Sequence, residues 1–335
     1  MLDVTSLKNK QIYLLESPKD KLAKEHFEIK VKNIRELKEN EILVETKYIS
    51  IDAANRAWMQ GRTYRDQVLP GDVMGGYALG KVIASKNDNF TEGEYVEGDL
   101  GWQNYAIKNE NELIKTIITE DENLHMSVLG ITGKTAYFGL KLAELKAGET
   151  VLISAAAGAV GNVAGQIAKI KGCNVVGITS SQEKADWLIN QIGFDAVVNY
   201  KSENFYKEIR SACPNKVDVY FDNVGGSIFE TVLFAMNNYG RIICCGAISQ
   251  YDQATPQSGP RGVPGIIVTK RLTLKGFIVM DFDDQKEIAE QELKQWLKDG
   301  KIIAAEDILE GIENTPEGLI GLLNGKNKGK RLIKI

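Results

Sequence analysis

The stretch Thr150 to Thr179, TVLISAAAGAVGNVAGQIAKIKGCNVVGIT, constrains the chain more than any other. Val151, Leu152 and Ile153 favour a short buried strand, and Gly158 and Gly161 open a tight turn into a helix. Val160, Val163, Ala164, Ile167, Ala168 and Ile170 supply the apolar faces of that helix. Gly172 ends it, and Val175 to Ile178 start a second strand. Strand, glycine turn, helix and strand in this order form half of a dinucleotide-binding motif. Ala156 stands at the first glycine position of the usual pattern, which alanine can fill if its backbone angle is ordinary. Gly158 would let a pyrophosphate approach the backbone, and Gly161 would let the helix pack closely.

The rest of the chain narrows the setting. Its 335 residues suffice for two domains, and 43% hydrophobic with 26% charged residues is a globular balance. A net charge of -4 with no long basic run argues against nucleic acid as a partner. The uncharged run Thr150 to Ala168 carries Asn162, Gln166 and turn glycines, which makes it a poor membrane span. Lys8, Lys10 and Lys19 to Lys21 are not followed by an apolar core, so no targeting peptide is expected and the location expected is cytoplasmic. Cys173, Cys213, Cys244 and Cys245 lack CxxC spacing, and only His26 and His125 could join them around zinc. Core or pocket-wall thiols are the expectation, with no metal.

Along the chain, Lys10–Leu15, Phe27–Lys32, Glu41–Tyr48, Lys81–Ser85 and Gly101–Ile107 read as strands of a mainly β first domain. Helical patterning starts near Leu124. Beyond Thr179, helices at Gln182–Gln191, Ser202–Ser211 and Ser227–Met236 alternate with strands at Ala196–Asn199, Val217–Asp222 and Gly240–Gly246. That alternation predicts a parallel sheet covered on both faces. Asp252 to Gly265, rich in Pro and Gly, reads as a loop or lid, and Leu272 to Met280 resumes β character. A helix at Lys286–Lys298, short segments near Ile302–Ala304 and Arg331–Ile335, and a helix at Thr315–Leu323 complete the chain. The last strand is expected to return to the first domain.

Several side chains fall where a ligand could meet them. The second strand of the motif ends in Thr179-Ser180-Ser181-Gln182-Glu183-Lys184, without the acidic residue that would bind the ribose hydroxyls of NAD. Small hydroxyls leave room for a 2′-phosphate and Lys184 offers charge, so NADP is favoured over NAD; a solvated helix lysine is the alternative. Tyr200 and Asn223 follow strands at the ligand edge of such a sheet, with packing and turn stabilisation as their competing roles. Asp222 can cap Val224–Gly226. In the first domain, Asn55, Arg56 and Tyr64 are candidate substrate contacts, against solvated, turn-shaping or packing roles.

Together these motifs resemble the medium-chain dehydrogenase/reductase superfamily, especially its zinc-independent prostaglandin reductase and alkenal reductase branch. The similarity is carried by AAAGAVGNVAGQIAKIKGCNVVGITSSQEK, GFDAVVNYK, YFDNVGG and GRIICCGAISQY, and extends from Lys10 to Ile335. It implies an α/β fold with a Rossmann nucleotide-binding domain at 128–297 and a GroES-like, mainly β substrate domain at 1–127, completed by about 298–335. The implied cofactor contacts are Ala159, Val160 and Gly161 for the pyrophosphate, Lys184 and Tyr200 for the adenosine phosphate, and Asn223 near the ribose. Cys245, Gly246, Ala247, Ile248, Ser249, Gln250 and Tyr251 would line the nicotinamide side. Phe277, Ile278 and Val279 would form a wall, and Asn327 would reach back from the tail. The segment IDAANRAWMQG matches a family loop that usually carries Asp-Pro, and Ala53 in the proline position implies a less constrained loop.

The reaction implied is NADPH-dependent reduction of the activated C=C bond of an α,β-unsaturated aldehyde or ketone, with Tyr251 as the donor to the developing enolate oxygen. Quinone reduction on the same fold is the nearest alternative, and a cofactor-binding regulatory or structural protein without turnover is the other. The resemblance also implies a homodimer.

Overall fold

The computed structural model describes residues 3–253, 259–260 and 262–335. The chain opens with β1 (Lys8–Leu14) and β2 (Phe27–Asn33), an antiparallel pair. Then come β3 (Glu41–Ser50), the one-turn helix α1 (Ala54–Ala57), β4 (Tyr77–Ser85), β5 (Tyr95–Asp99), β6 (Tyr105–Asn109) and β7 (Ile114–Thr116). Helix α2 (Ile131–Ala143) leads into an alternating series. This comprises β8 (Thr150–Ile153), α3 (Ala159–Ile170), β9 (Asn174–Thr179), α4 (Gln182–Trp187), β10 (Ala196–Asn199), α5 (Phe205–Ala212), β11 (Val217–Asp222), α6 (Gly226–Ala235) and β12 (Met236–Cys244). The chain ends with α7 (Val263–Lys270), β13 (Thr273–Gly276), α8 (Lys286–Lys298), β14 (Glu306–Glu310), α9 (Thr315–Leu323) and β15 (Lys330–Lys334).

Two architectures result. Strands β10-β9-β8-β11-β12-β13 form a six-stranded sheet, parallel throughout. All four residues of β8 are buried, as a strand covered on both faces requires. One apolar layer packs α2 and α3 on the sheet through Leu140, Val163, Ile167 and Phe221, and the other packs α5 and α6 through Ile209, Val232 and Tyr220. The other large sheet runs β14-β15-β3-β4-β5-β7, with β6 also on β3. Its core gathers Ile42, Val44, Val82, Val96, Trp102 and Ile333. β15 lies antiparallel to β3, Ile333 opposite Ile49, so the tail completes the first sheet. The molecule is a two-domain α/β protein: a Rossmann-like parallel sheet and a GroES-like, mainly β unit.

Some elements differ from the sequence expectation, each for a physical reason. β-character was expected through Met280, but β13 stops at Gly276, where its neighbour β12 also ends opposite it at Cys244. Phe277 has no strand left to pair with. The short segment at Ile302–Ala304 pairs with no strand among the described residues, because the Ile303 peptide bonds a side chain instead. Its N–H donates to Gln166 Oε1 at 2.7 Å and its C=O accepts from Gln166 Nε2 at 3.1 Å. The next strand, β14, starts at Glu306. The loop expected over Asp252 to Gly265 already contains the first turn of α7, where Pro264 fits because its missing N–H would have no partner there. Residues 254–258 and 261 of that loop lie outside the described residues.

Candidate active site

The glycine turn continues from the C-terminal end of β8, bonded to β11 through the Ser154 N–H on Phe221 O and to β9 through Ala156. Ala155, not Ala156, takes the left-handed angle, φ 48°, and the Ala156 N–H donates to Ile178 O at 3.0 Å. Alanine therefore fills the first glycine position in ordinary backbone geometry. A Cβ on Gly161 would lie 2.4 Å from Ala155 O and 2.8 Å from Ala156 Cα, so only glycine lets α3 come this close. No side chain caps α3. The amides of Ala159, Val160 and Gly161 in its first turn lack intrahelical acceptors, an arrangement suited to a phosphate.

One rim around this turn is built by the tail. The Gly329 N–H donates to Ala157 O at 2.8 Å, and Lys184 Nζ donates to Gly325 O at 2.8 Å. Burial draws the Lys184 pKa down, while Asp307 and Glu183 pull it back up. An ammonium carries three N–H donors, so this contact leaves two for a ligand. Lys328 pairs with Glu183 at 2.9 Å. Tyr200 is 41% exposed on the same side, and its N–H bonds Thr179 O. Asn327 is buried with its amide nitrogen on Gly329 O at 2.8 Å, which shapes the turn. No carboxylate stands among Thr179, Ser180 and Ser181 at the end of β9, so a phosphorylated ribose meets hydroxyls and one cation there. These groups fit NADP.

The other rim carries Asn223 and the segment after β12. Asn223 donates through its backbone to Ser154 Oγ at 2.9 Å and through Nδ2 to Ser154 O at 2.8 Å. Buried Asp222 accepts from Tyr220 Oη at 2.7 Å and from the Val224 and Gly225 amides at 3.0 Å, so it caps this turn. The N–H groups of Cys245 and Gly246 bond Asp222 O, and Ser249 Oγ donates to Val224 O at 2.6 Å. Residues 245–250 are thereby stitched to the Asn223 turn. Burial, with Asp222 adding to it, pushes the Cys245 thiol up to about 12. Both adjacent cysteines are free thiols.

Between the two units lies a cavity of about 670 Å³. Trp58, Tyr64 and Arg65 line it from the first domain; Cys245 and Phe277 to Met280 line it from the parallel sheet. Arg65 lies over the Trp58 ring at 4.4 Å and pairs with Asp99 at 2.5 Å. Arg65, Asp99 and Tyr77 in this lining were not singled out from the sequence, which holds no local pattern marking them. Tyr251 is not among the residues lining this cavity; it sits on a half-buried turn, and its hydroxyl oxygen accepts from the Ala247 N–H at 3.2 Å. Partial burial lifts the Tyr64 phenol above its ordinary value, with Asp52 and Tyr251 adding to the rise.

Asn55 and Arg56 do not reach this cavity. Both are fully buried. Asn55 bonds the Asp52 N–H at 2.8 Å and Gly75 O at 3.1 Å. Arg56 bonds Asp252, Pro18 O and Asp20 O. The structure does not bring these two residues, expected as direct substrate contacts, into the cavity lining: Asn55 and the Arg56 Nε and Nη2 groups bond inside the protein, while Arg56 Nη1 is buried with no hydrogen-bond partner among the described residues. Ala53 adopts φ -57° and ψ -28°, an angle that proline also takes. Among the described residues, no group of three or more His, Cys, Asp or Glu is placed to hold a metal ion.

Comparison with known proteins follows the same division. Residues 10–116 match a family described as the N-terminal domain of oxidoreductase, and residues 159–295 match one described as zinc-binding dehydrogenase. The chain is 41% identical to prostaglandin reductase 1 of Bos taurus over 315 residues, 92% of this chain and 93% of that one. It is 35% identical to the NADPH-dependent curcumin reductase of Escherichia coli over 335 residues, covering 98% and 97% of the two chains. Among solved structures, CurA from Vibrio vulnificus in complex with NADPH superposes with a TM-score of 0.92 at 34% identity, covering 97% of this chain and 98% of that one.

Proposed function

We infer the chemistry from one premise: the chain belongs to the zinc-independent medium-chain dehydrogenase/reductase superfamily, in its prostaglandin reductase and alkenal reductase branch. It is an NADP-dependent oxidoreductase that reduces the activated C=C bond of α,β-unsaturated aldehydes and ketones. The observation that carries the assignment of roles is the mainly apolar cavity lined by Trp58 and Tyr64 on one side and by Cys245 and Phe277 to Met280 on the other.

The units 128–297 and 1–127 with about 298–335 are the cofactor and substrate domains of this reading. Ala159, Val160 and Gly161 hold the pyrophosphate through their amides, and Lys184 and Tyr200 hold the adenosine phosphate. Asn223 lies by the ribose. Residues 245–251 and 277–279 flank the nicotinamide, and Asn327 reaches the cofactor from the tail turn on the opposite rim. Bound NADPH supplies the hydride that saturates the β-carbon. Negative charge then collects on the substrate carbonyl oxygen. Tyr251 donates its hydroxyl proton toward that oxygen: the Ala247 N–H takes up an acceptor site on the phenol and leaves its O–H available as a donor. The α-carbon takes its proton from solvent. Trp58 and Tyr64 hold the conjugated chain flat and exclude water.

A cytoplasmic homodimer without nucleic-acid or membrane partners belongs to the same proposal. No helix among the described residues is long and apolar enough to cross a membrane. Strand β13 ends the parallel sheet with its outer edge unpaired among the described residues, a template for a second copy.

Tyr251→Phe tests the central role. It removes the hydroxyl and keeps the ring, so enone reduction should fall by about 1–3 kcal/mol of barrier, roughly 5–150-fold, while NADPH affinity holds. Single-turnover NADPH oxidation isolates the step, and product analysis separates C=C saturation from quinone reduction. A native hydride-transfer rate in the folded variant removes Tyr251 from catalysis.

A further inference from the structure

An arginine with no exposed surface is costly unless its partners are fixed, because its charge has lost its water. Arg56 makes three bonds, Nε to Asp252 Oδ1 at 2.9 Å and Nη2 to Pro18 O at 3.2 Å and Asp20 O at 2.8 Å, while Nη1 has no partner among the described residues. The same Asp252 oxygen accepts from the Leu22 N–H at 2.9 Å. Every one of these donors and carbonyls belongs to the first domain. Asp252 does not: it stands next to Tyr251, at the end of the segment that leaves β12.

We propose that Arg56 and Asp252 are positioning residues, an inter-domain latch that seats the Tyr251 hydroxyl over the cleft when the two domains meet. The segment 245–252 is held at two ends by different domains. At its start, Cys245, Gly246 and Ser249 are bonded to the Asp222–Val224 turn of the parallel sheet. At its end, among the described residues, only the Asp252 carboxylate reaches the first domain through hydrogen bonds. Between them lies a single tight turn, with the Gln250 N–H on Ala247 O at 2.9 Å and the Tyr251 N–H on Ile248 O at 3.3 Å. A turn this short transmits a shift at Asp252 directly to its neighbour. Arg56 itself is anchored where Asn55 and Asp52 tie its loop to Gly75 and to Lys330 of the tail. The latch therefore reports whether the first domain, including its last strand, is assembled.

The catalytic part of this inference rests on Tyr251 acting as the enolate donor; the mechanical part does not. Hydrogen exchange at the amides of Ser249, Gln250 and Tyr251 reads the mechanics. Asp252→Ala should speed their exchange about tenfold or more while β8 and β11 stay protected. Asp252→Asn should restore most of the protection, since its amide oxygen can still accept from Arg56 and Leu22. Unchanged exchange in Asp252→Ala overturns the latch. The catalytic part is read by a double-mutant cycle on single-turnover rates. If the latch acts through Tyr251, the penalty of Tyr251→Phe should shrink by about threefold or more in the Asp252→Ala background, whereas a purely structural loss leaves the two penalties multiplicative. Multiplicative penalties overturn the catalytic part. An inert Tyr251→Phe removes the donor role instead, and the exchange result still decides the latch. Where Asp252→Ala fails to fold, Arg56→Lys takes its place in both measurements. Lysine keeps the charge but lacks the planar fork, so the same loosening is expected and native exchange overturns the latch equally.

Discussion

The two sheets are closed in opposite ways. In the parallel sheet, each helix returns the chain to a strand beside one already laid down, and β8 has both neighbours, β9 and β11, by Asp222. In the first sheet, β3 waits for β15 at the far end of the chain, and β14 adds only after that. The phosphate cradle inherits the first kind of order. Its turn, its helix and the strand ends beside it are contiguous in sequence. The substrate side inherits the second kind: Asp52 is held by Lys330, Arg56 by Asp252 and Asn55 by Gly75. Local assembly makes the pyrophosphate turn on its own unit, with the tail closing one rim, whereas the cleft exists only when distant segments have docked. Cofactor binding and turnover should therefore respond to different lesions.

The largest expected effect attacks the distant kind of contact. Lys330 is 2% exposed, and its Nζ donates to Asp52 Oδ1 at 2.5 Å and Ile51 O at 3.0 Å. Lys330→Met keeps the stem and removes the cation, at a cost of about 3 kcal/mol, the low end for a broken buried pair because Asp52 keeps some solvent. Urea unfolding followed by hydrogen exchange should show the loss in β3 and β15 before β8 and β11. Equal loosening of both sheets breaks the comparison.

The same division decided what could be read from the chain. The parallel half was legible because each element carries its own period: Ala196–Asn199, Val217–Asp222 and Lys286–Lys298 form where apolar spacing places them. The reading faltered where a distant partner decides. The sequence assigns Ile302–Ala304 no element type, and Ile303 gives its peptide to Gln166; Phe277 looks like strand but β12 offers no paired neighbour beyond Cys244. Helix α7 was hidden because Pro264 and Gly265 signal a loop, although proline is at home in a first helical turn. At the site, Gly161, Lys184 and Asn223 fell within motifs. Arg56 was singled out for its charge, but no local pattern could show that its partner lies at Asp252. The Arg65–Asp99 pair left no trace for the same reason.

A middling effect is expected at Lys184, where the two kinds of order meet. Lys184→Ala removes a charge from the adenosine rim and the bond to Gly325 O. Affinity for NADPH should weaken by about 1–2 kcal/mol, roughly 5–30-fold, and more than affinity for NADH, which lacks the 2′-phosphate. Titrations at matched ionic strength check this. Equal weakening of both cofactors would show that Lys184 acts through the tail turn alone, which moves that rim to the distant class.

Ala53 offers a change that should stabilise. Its φ of -57° is within the range of proline, and its N–H makes no hydrogen bond among the described residues. Ala53→Pro should add about 0.4–1 kcal/mol by restricting the unfolded chain. Turnover should hold, because contacts to Asp252, Gly75 and Lys330 already fix the loop. Improved turnover measured at saturating enone would mean that the folded loop still moves and that distant docking leaves it loose.

The smallest effect is a control within the first domain, using a pair that is local in sequence. Glu41 opens β3 and accepts from Arg35 at 2.5 and 2.7 Å and from the Lys38 N–H at 2.8 Å. The Arg35 bonds, then the Lys38 amide, draw its carboxyl down to about 2. An unfolded glutamate titrates near ~4.3. A carboxylate with a depressed pKa stabilises the fold above the unfolded value and loses that contribution as pH falls from there through the folded value. Glu41→Gln should therefore cost stability at neutral pH, and the gap to the native protein should close between about pH 4 and pH 2. Arg35 is half exposed, so solvent screening keeps the cost below about 1 kcal/mol, smaller still in high salt. Unfolding midpoints across that pH range provide the measurement. A penalty as large as that of Lys330→Met would mean that the short loop before β3 holds it as firmly as the returning tail does, and the contrast between local and distant assembly would fail inside the first domain.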